Sequence, residues 1–260
     1  LDVSGTTLKV SQALNLSGGT FTSNGSSVLD LKAAATLSSS GPVSFKKVNL
    51  NGKVLTLGSA ATHLKLTGSN ETLNLSNLAL ETGAGSLTLS SALILSNGAA
   101  LNSSGGTIWL AGATIPGGTS ISLPNTTLQL QNAMSVTGGT LKTNNTTIYT
   151  NANALTLTSG SILEVQGTQD LSGVVPDTTS TLRLGANATI NDSSVLSVGT
   201  LDLADFALTL NDQMEGLTVG QAVTLDAATE QIISANADLS LNGGITVNNG
   251  ILSSTGGTLT

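Results

Sequence analysis

Short apolar-polar-apolar triplets recur along almost the whole chain. The two apolar side chains of each triplet are two residues apart, the spacing that places them on one face of a β-strand. Apolar positions at helical spacing never extend beyond a few residues, and Gly, Asn or Ser interrupts the pattern every six to nine residues. The pattern predicts many very short strands and essentially no helix. Clear triplets begin at Leu14, Leu29, Leu55, Leu73, Leu87, Leu128, Leu155, Leu182, Leu208 and Leu239.

A longer period groups these strands. Leu87, Ile108, Leu128 and Ile148 begin comparable segments, and three short strands fill each interval between them. Strand repeats of this length are typical of a solenoid in which each strand pairs with its equivalent in the next coil. The sequence therefore predicts an all-β fold, a parallel β-helix. We expect a three-sided β-solenoid with about 20–21 residues per coil and roughly 12 coils.

Glycines recur with the same period and predict the corners of the coil. Glycine adopts positive φ without steric cost, so a repeated glycine indicates a repeated left-handed corner. Four of these glycines follow each other at the coil period, and two more occupy the same place in similar local motifs. The six expected turn glycines are Gly98, Gly118, Gly139 and Gly160, with Gly19 and Gly250.

The period loosens near residues 166–181, where the charge also changes sign. Residues 1–163 contain seven Lys and four acids, a net charge of +3, whereas residues 164–260 contain eleven acids and only Arg183, a net charge of −10. Strand triplets resume after this stretch. We therefore expect residues 1–260 to form one solenoid with a longer loop near 166–181. We also expect the chain to be a segment of a longer protein.

The composition narrows the possible functions. Charged residues are 9% and aromatic residues 2% of the chain, while 39% is apolar, enough aliphatic side chains to form a core. The net charge of −7 disfavours nucleic-acid binding, which needs clustered cations. The chain has no cysteine, and no apolar run approaches the about 20 residues of a membrane-spanning helix. We expect no cofactor, no metal and no membrane-spanning segment.

Candidate catalytic groups are sparse. Polysaccharide hydrolysis needs two carboxylates at a defined separation, and the nearest pair is Asp202 and Asp205. Asp202 is expected to point outward between two inward leucines, so solvated surface is the preferred interpretation. His63 has no second His or Cys with which to bind a metal, and is expected at the surface or a corner. A polysaccharide-active β-helix enzyme is the least favoured alternative.

Three outward positions form a candidate binding site. Ile108 and Leu110 are expected to face inward, which turns Trp109 outward, and Tyr149 falls in the same outward column two coils later with Gln129 between them. Exposed aromatic rings flanked by amides can stack on the apolar faces of sugar rings. The alternative is that these rings only cover the sheet or pack under a loop.

Two further surface patterns are weaker. Glycosylation sequons begin at Asn125, Asn145 and Asn187, but a chain rich in Ser, Thr and Asn contains many by chance. Regular rows of Thr-x-Thr motifs, which would suit ice binding on a flat β-face, do not continue over successive coils.

The coil motifs resemble those of bacterial autotransporter passengers and filamentous-haemagglutinin-type adhesins. The matching segments are LNLSGGTF, LILSNGAAL, MSVTGGTL, LTLTSGSI and ITVNNGIL. The resemblance implies a secreted protein of the bacterial cell surface that acts in attachment, biofilm or cell contact. We expect a non-enzymatic extracellular structural or adhesive fibre segment, whose partners are surface glycans or proteins of a host or neighbouring cell. The alternative is a subunit that assembles head to tail into an extracellular filament through open solenoid ends of opposite charge.

Overall fold

The protein is a solenoid of parallel β-strands. The computed structural model describes residues 2–16, 22–24, 26–40, 42–49, 51, 53, 55–57, 63–66, 73–76, 79–83, 86–89, 93–96 and 98–260. Within these ranges there are about ten turns and no helix, close to the roughly twelve coils expected. The strands, numbered β1 to β33 in chain order, are Thr7–Val10, Leu14–Leu16, Val28–Leu31, Ala35–Ser39, Pro42–Phe45, Lys47–Asn49, Leu55–Leu57, His63–Leu66, Leu73–Ser76, Ala79–Gly83, Ser86–Leu89, Leu93–Ser96, Ala100–Ser103, Thr107–Leu110, Ala113–Pro116, Ser120–Pro124, Thr127–Leu130, Met134–Thr137, Thr140–Asn144, Thr147–Tyr149, Leu155–Thr158, Ile162–Asp170, Val174–Pro176, Thr181–Asn191, Val195–Val198, Thr200–Asp202, Ala207–Leu210, Gly216–Val219, Val223–Leu225, Gln231–Ser234, Asp238–Leu241, Ile245–Val247 and Ile251–Ser254.

Successive strands enter three sheets in rotation. In the central turns, sheet I contains β10, β13, β16 and β19, sheet II contains β11, β14, β17 and β20, and sheet III contains β12, β15, β18 and β21. Every one of these strands pairs in parallel with its equivalent one turn away. Leu87 is in register with Ile108, Ile108 with Leu128, and Leu128 with Ile148. The predicted coil period is therefore confirmed.

Two long strands turn a corner without ending. Residues 162–166 of β22 pair with β19 in sheet I. On the other side of β22, residues 162–165 pair with residues 181–184 of β24, the register shifts between Val165 and Gly167, and residues 167–170 pair with residues 188–191. The second half of β24 pairs in turn with β27. The chain at 166–181, expected as a longer loop, instead contains the end of β22 and all of β23. The expected loop is thus wrong at these positions, because the strand continues across the corner.

The core consists of inward side chains stacked from turn to turn. In sheet I one such stack contains Leu101, Ile121, Leu141, Leu163 and Leu182, each within 1% of complete burial. Burying each aliphatic side chain stabilises the fold by about 1.5–3 kcal/mol. Each stack is shared between neighbouring turns, so a single turn would lose most of this burial if isolated.

Asparagine and threonine form the corner between sheets I and II. Asn125 and Asn145 occupy equivalent corners with φ of 52° and 50°, a conformation that asparagine tolerates better than most residues. The next residues, Thr126 and Thr146, turn inward and are buried. Thr126 Oγ1 donates to the Pro124 carbonyl at 3.0 Å, and Thr146 Oγ1 donates to the Leu123 carbonyl. These Asn-Thr pairs therefore have a structural role in the turn.

The turn glycines divide into two kinds. Gly98, Gly118 and Gly160 have positive φ of 78°, 75° and 72°, as a left-handed corner requires. Gly139 and Gly250 do not have positive φ, so the expectation of a left-handed corner is wrong for these two residues; Gly138 has the positive φ of its turn. Gly139 and Gly250 are glycine because neighbouring atoms pack closely against them. A Cβ at Gly139 would lie 2.6 Å from the carbonyl oxygens of Ile115 and Pro116, and one at Gly250 would lie 2.6 Å from the Glu230 carbonyl oxygen. Gly19 lies outside the described residues.

Gly139→Ala should be more destabilising than Gly118→Ala. The new methyl group of G139A meets backbone oxygens that cannot move independently, so we expect a loss of about 3 kcal/mol in the free energy of unfolding. The methyl group of G118A meets no atom within 4 Å, and only its positive φ is unfavourable, at about 1 kcal/mol. Urea denaturation of both variants measures the difference. An equal loss in both would show that the backbone contact at Gly139 is not the constraint.

Candidate functional site

The three residues of the expected binding column lie side by side on sheet II. Trp109 on β14 is in register with Gln129 on β17, and Gln129 with Tyr149 on β20. Their inward neighbours Ile108 and Leu128 are completely buried, which fixes the alternation and turns the three side chains outward. Trp109 and Gln129 are half-buried, and Tyr149 is 51% exposed. We call these three residues the aromatic row.

A hydrogen bond orients the first two members of the row. Trp109 Nε1 donates to Gln129 Oε1 at 3.0 Å, so the indole leans along the solenoid axis towards the next turn. The amide of Gln129 keeps both of its N–H groups as donors. Beyond it, Tyr149 presents its ring and hydroxyl to solvent. The row therefore offers two aromatic surfaces with an amide between them over three turns, about 10 Å in length.

Sheet I carries a row of alternating charges that the sequence reasoning did not find. Lys142, Glu164, Arg183 and Asp202 are consecutive register partners on β19, β22, β24 and β26. Lys142 Nζ lies 3.3 Å from Glu164 Oε2, and Arg183 Nε lies 2.8 Å from Asp202 Oδ2. A signal was present in the sequence: each charged residue directly follows an inward leucine of the same stack. We call these residues the charge row.

The charge row gives one of the two candidate catalytic acids, Asp202, a structural partner. Asp202 points outward as expected and accepts a hydrogen bond from Arg183. Asp205 is exposed and lies in the tight turn after β26, with φ of 69°. The two aspartates therefore have separate surroundings. His63 begins β8, but its side chain lies outside the described part of the structure.

Two of the sequon asparagines bridge adjacent turns. Asn145 Oδ1 accepts from the Thr168 amide at 3.2 Å, and Asn187 Oδ1 accepts from the Ala207 amide at 3.0 Å. Both side chains thus complete backbone hydrogen bonding at corners. The expectation that these sequons occur by chance stays a prediction.

One acid is buried at the corner after β24. Asp192 is 2% exposed; its Oδ1 accepts from the Ser194 amide at 2.9 Å and from Ser194 Oγ at 2.8 Å, whereas its Oδ2 has no hydrogen-bond partner. Burial raises the pKa of the Asp192 carboxyl above its usual value, the bonds from Ser194 oppose this, and the nearby carboxylates of Asp170 and Glu215 add to the increase. The ionised form of Asp192 therefore destabilises the folded state.

The described residues contain no group of three or more His, Cys, Asp or Glu side chains placed to hold a metal ion. Among the described residues there is no helix that is long and apolar enough to cross a membrane. Comparison with protein-family models, with curated proteins and with solved structures gave no match.

Asp192→Asn should stabilise the protein at neutral pH relative to acid pH. Because the pKa of Asp192 is raised on folding, its stabilising contribution is present below the unfolded pKa and is lost as pH rises through the folded pKa. D192N keeps an acceptor for Ser194 and removes the unpaired charge. We expect the difference in unfolding free energy, variant minus parent, to be about 1–3 kcal/mol more favourable at pH 7.5 than at pH 4.

Asp177→Asn is the matched control with the opposite sign. Hydrogen bonds from Thr179 and Ser180 lower the pKa of Asp177, so its contribution is present at neutral pH and is lost as pH falls. D177N should therefore lose stability at pH 7.5 and approach the parent at acid pH. Urea denaturation at several pH values measures both. A D192N variant that is less stable than the parent by the same amount at every pH would contradict the role given to Asp192.

Proposed function

We propose that this chain is a non-enzymatic structural and adhesive segment of an extracellular bacterial fibre, of the autotransporter-passenger or filamentous-haemagglutinin type. The supporting observation is the aromatic row, which lies in register on a sheet whose other side faces the solenoid core. An outward surface of this kind provides aromatic and hydrogen-bonding groups for contact and leaves the core intact. The assignment to an adhesin type rests on the resemblance of the coil motifs.

The scaffold suits a mechanically exposed position. Register partners such as Ile162 and Thr181 belong to successive turns, so each turn is held by backbone hydrogen bonds to the turns before and after it. Opening one turn requires breaking bonds to both neighbours. The interior stacks add apolar burial shared between turns. A segment built in this way resists local unfolding better than isolated hairpins would.

A second candidate role is head-to-tail association of copies. Residues 164–260 have a net charge of −10, against +3 for residues 1–163. Opposite charges at the two ends would favour end-to-end contact between copies. Such contact would weaken as salt screens the charges.

An adhesion assay tests the proposed contact function. Beads coated with the chain should adhere to cultured epithelial or bacterial cells more than beads coated with an inert protein. Trp109→Ala combined with Tyr149→Ala should reduce adhesion several-fold, because the aromatic faces supply much of the contact surface. Thr114→Ala with Thr156→Ala, two outward substitutions on sheet III, is the matched control and should leave adhesion unchanged.

Two results would count against the proposal. Adhesion no greater than that of the inert protein removes the contact function, and equal adhesion of the aromatic and control variants removes the aromatic row from it. Sedimentation of the same preparations at low and high salt separates self-association from adhesion. A monomer at every salt concentration would exclude the head-to-tail role for this chain.

A further inference from the structure

A groove of about 180 Å³ runs over the outer surface of sheet I. It lies between two rows of outward side chains that cross β16, β19 and β22. Ser122, Lys142 and Glu164 are register partners along one side, and Pro124, Asn144 and Gln166 along the other. The groove therefore follows the solenoid axis over three turns. It is separate from the aromatic row, which lies on sheet II.

The polar groups of the groove already hold one another in place. Lys142 Nζ is 3.3 Å from Glu164 Oε2, and Asn144 Nδ2 donates to Gln166 Oε1 at 3.2 Å. These contacts fix four side chains before any ligand arrives, which lowers the entropy cost of binding. Each amide and the Lys–Glu pair retain further hydrogen-bonding capacity. The groove is thus pre-organised and has no net charge.

Glycines on the next turn make room for the amides. A side chain at Gly185 would collide with Gln166 Nε2, and a side chain at Gly167 would collide with Asn145 Oδ1 and lie 3.3 Å from Asn144 Oδ1. Gly167 has φ of +65°, which by itself favours glycine, but Gly185 has no such requirement. In its observed conformation Gln166 therefore occupies space that a side chain at position 185 would also need. The amide side of the groove is therefore encoded by residues on two turns.

The chemistry of the lining selects the class of ligand. An apolar ligand would bury the ion pair and both amides without replacing their contacts to water, which is unfavourable. A strongly charged ligand would find its counter-charge already paired with the opposite charge. A neutral polyhydroxylated ring avoids both costs, because each hydroxyl both donates and accepts, and Pro124 offers an apolar surface to its C–H face. The groove is smaller than the roughly 300–1,000 Å³ usual for small-molecule sites, so it holds about one ring.

We propose that the groove formed by Lys142, Glu164, Asn144, Gln166 and Pro124 binds a neutral hexose or N-acetylhexosamine unit of an oligosaccharide. The inference rests on the proposed contact function and gives it a ligand class. It places a second contact surface on sheet I, around the Asn125 and Asn145 corner from the aromatic row. The chain of the oligosaccharide would extend along the solenoid axis, parallel to the two rows.

Binding of defined sugars by the full chain tests this proposal. The probes are neutral di- and trisaccharides of hexoses and of N-acetylhexosamines, measured by saturation-transfer NMR and by titration calorimetry. We expect at least one probe to bind the parent chain with millimolar affinity. Asn144→Ala combined with Gln166→Ala should weaken that binding about tenfold, since two amide contacts are lost.

Matched variants make the result decisive. Thr114→Ala with Thr156→Ala, the outward pair on sheet III, should bind the sugar as the parent does, and circular dichroism should show that every variant keeps its strand content. Absence of binding to all probes, or equal binding by the amide and threonine variants, overturns the proposal. Adhesion without sugar binding would refute the groove and leave the proposed function standing. Sugar binding without adhesion would support the groove and refute the adhesive role.

Discussion

Parallel backbone pairing in register between turns is the constraint on which the rest of the structure depends. It places equivalent residues of adjacent turns about 4.8 Å apart, so one choice of side chain is repeated as a row along the axis. Inward rows become the apolar stacks of the core, while outward rows become the aromatic row and the charge row. A slip of one residue in any turn would exchange the two faces. Leucines on the inward face thus also position the chemistry on the outward face.

The core and the aromatic row could be predicted because both follow from twofold alternation with one buried face. The register is indicated by the apolar character of Leu87, Ile108, Leu128 and Ile148 alone. Because Ile108 and Leu110 are buried, Trp109 between them points outward. Predicting that Gln129 and Tyr149 join it required only the coil period. This part of the fold is therefore specified locally, turn by turn.

Other features depend on contacts that alternation does not encode. The charge row advances by unequal steps along the chain, so no fixed period aligns Lys142 with Asp202. Gly138 has the positive φ of its turn, whereas Gly139 is glycine because the neighbouring turn brings two backbone oxygens close to it. Asp192 occupies the place that the buried Leu171 has one turn earlier, so an acid stands where an apolar side chain is expected. The groove on sheet I likewise depends on side chains that three successive turns bring together.

Disulfide trapping on the cysteine-free chain tests the turn-to-turn pairing most directly. Thr107 pairs with Thr127 and Thr127 with Thr147, so cysteine pairs at these positions have Cα atoms about 5 Å apart, within the range for a disulfide. A pair at 107 and 147 spans two turns, about 10 Å, and is too distant. Rapid oxidation of the two single-turn pairs and none of the two-turn pair is the predicted result. Equal oxidation of all three, or of 107 with 147 alone, would contradict the solenoid register.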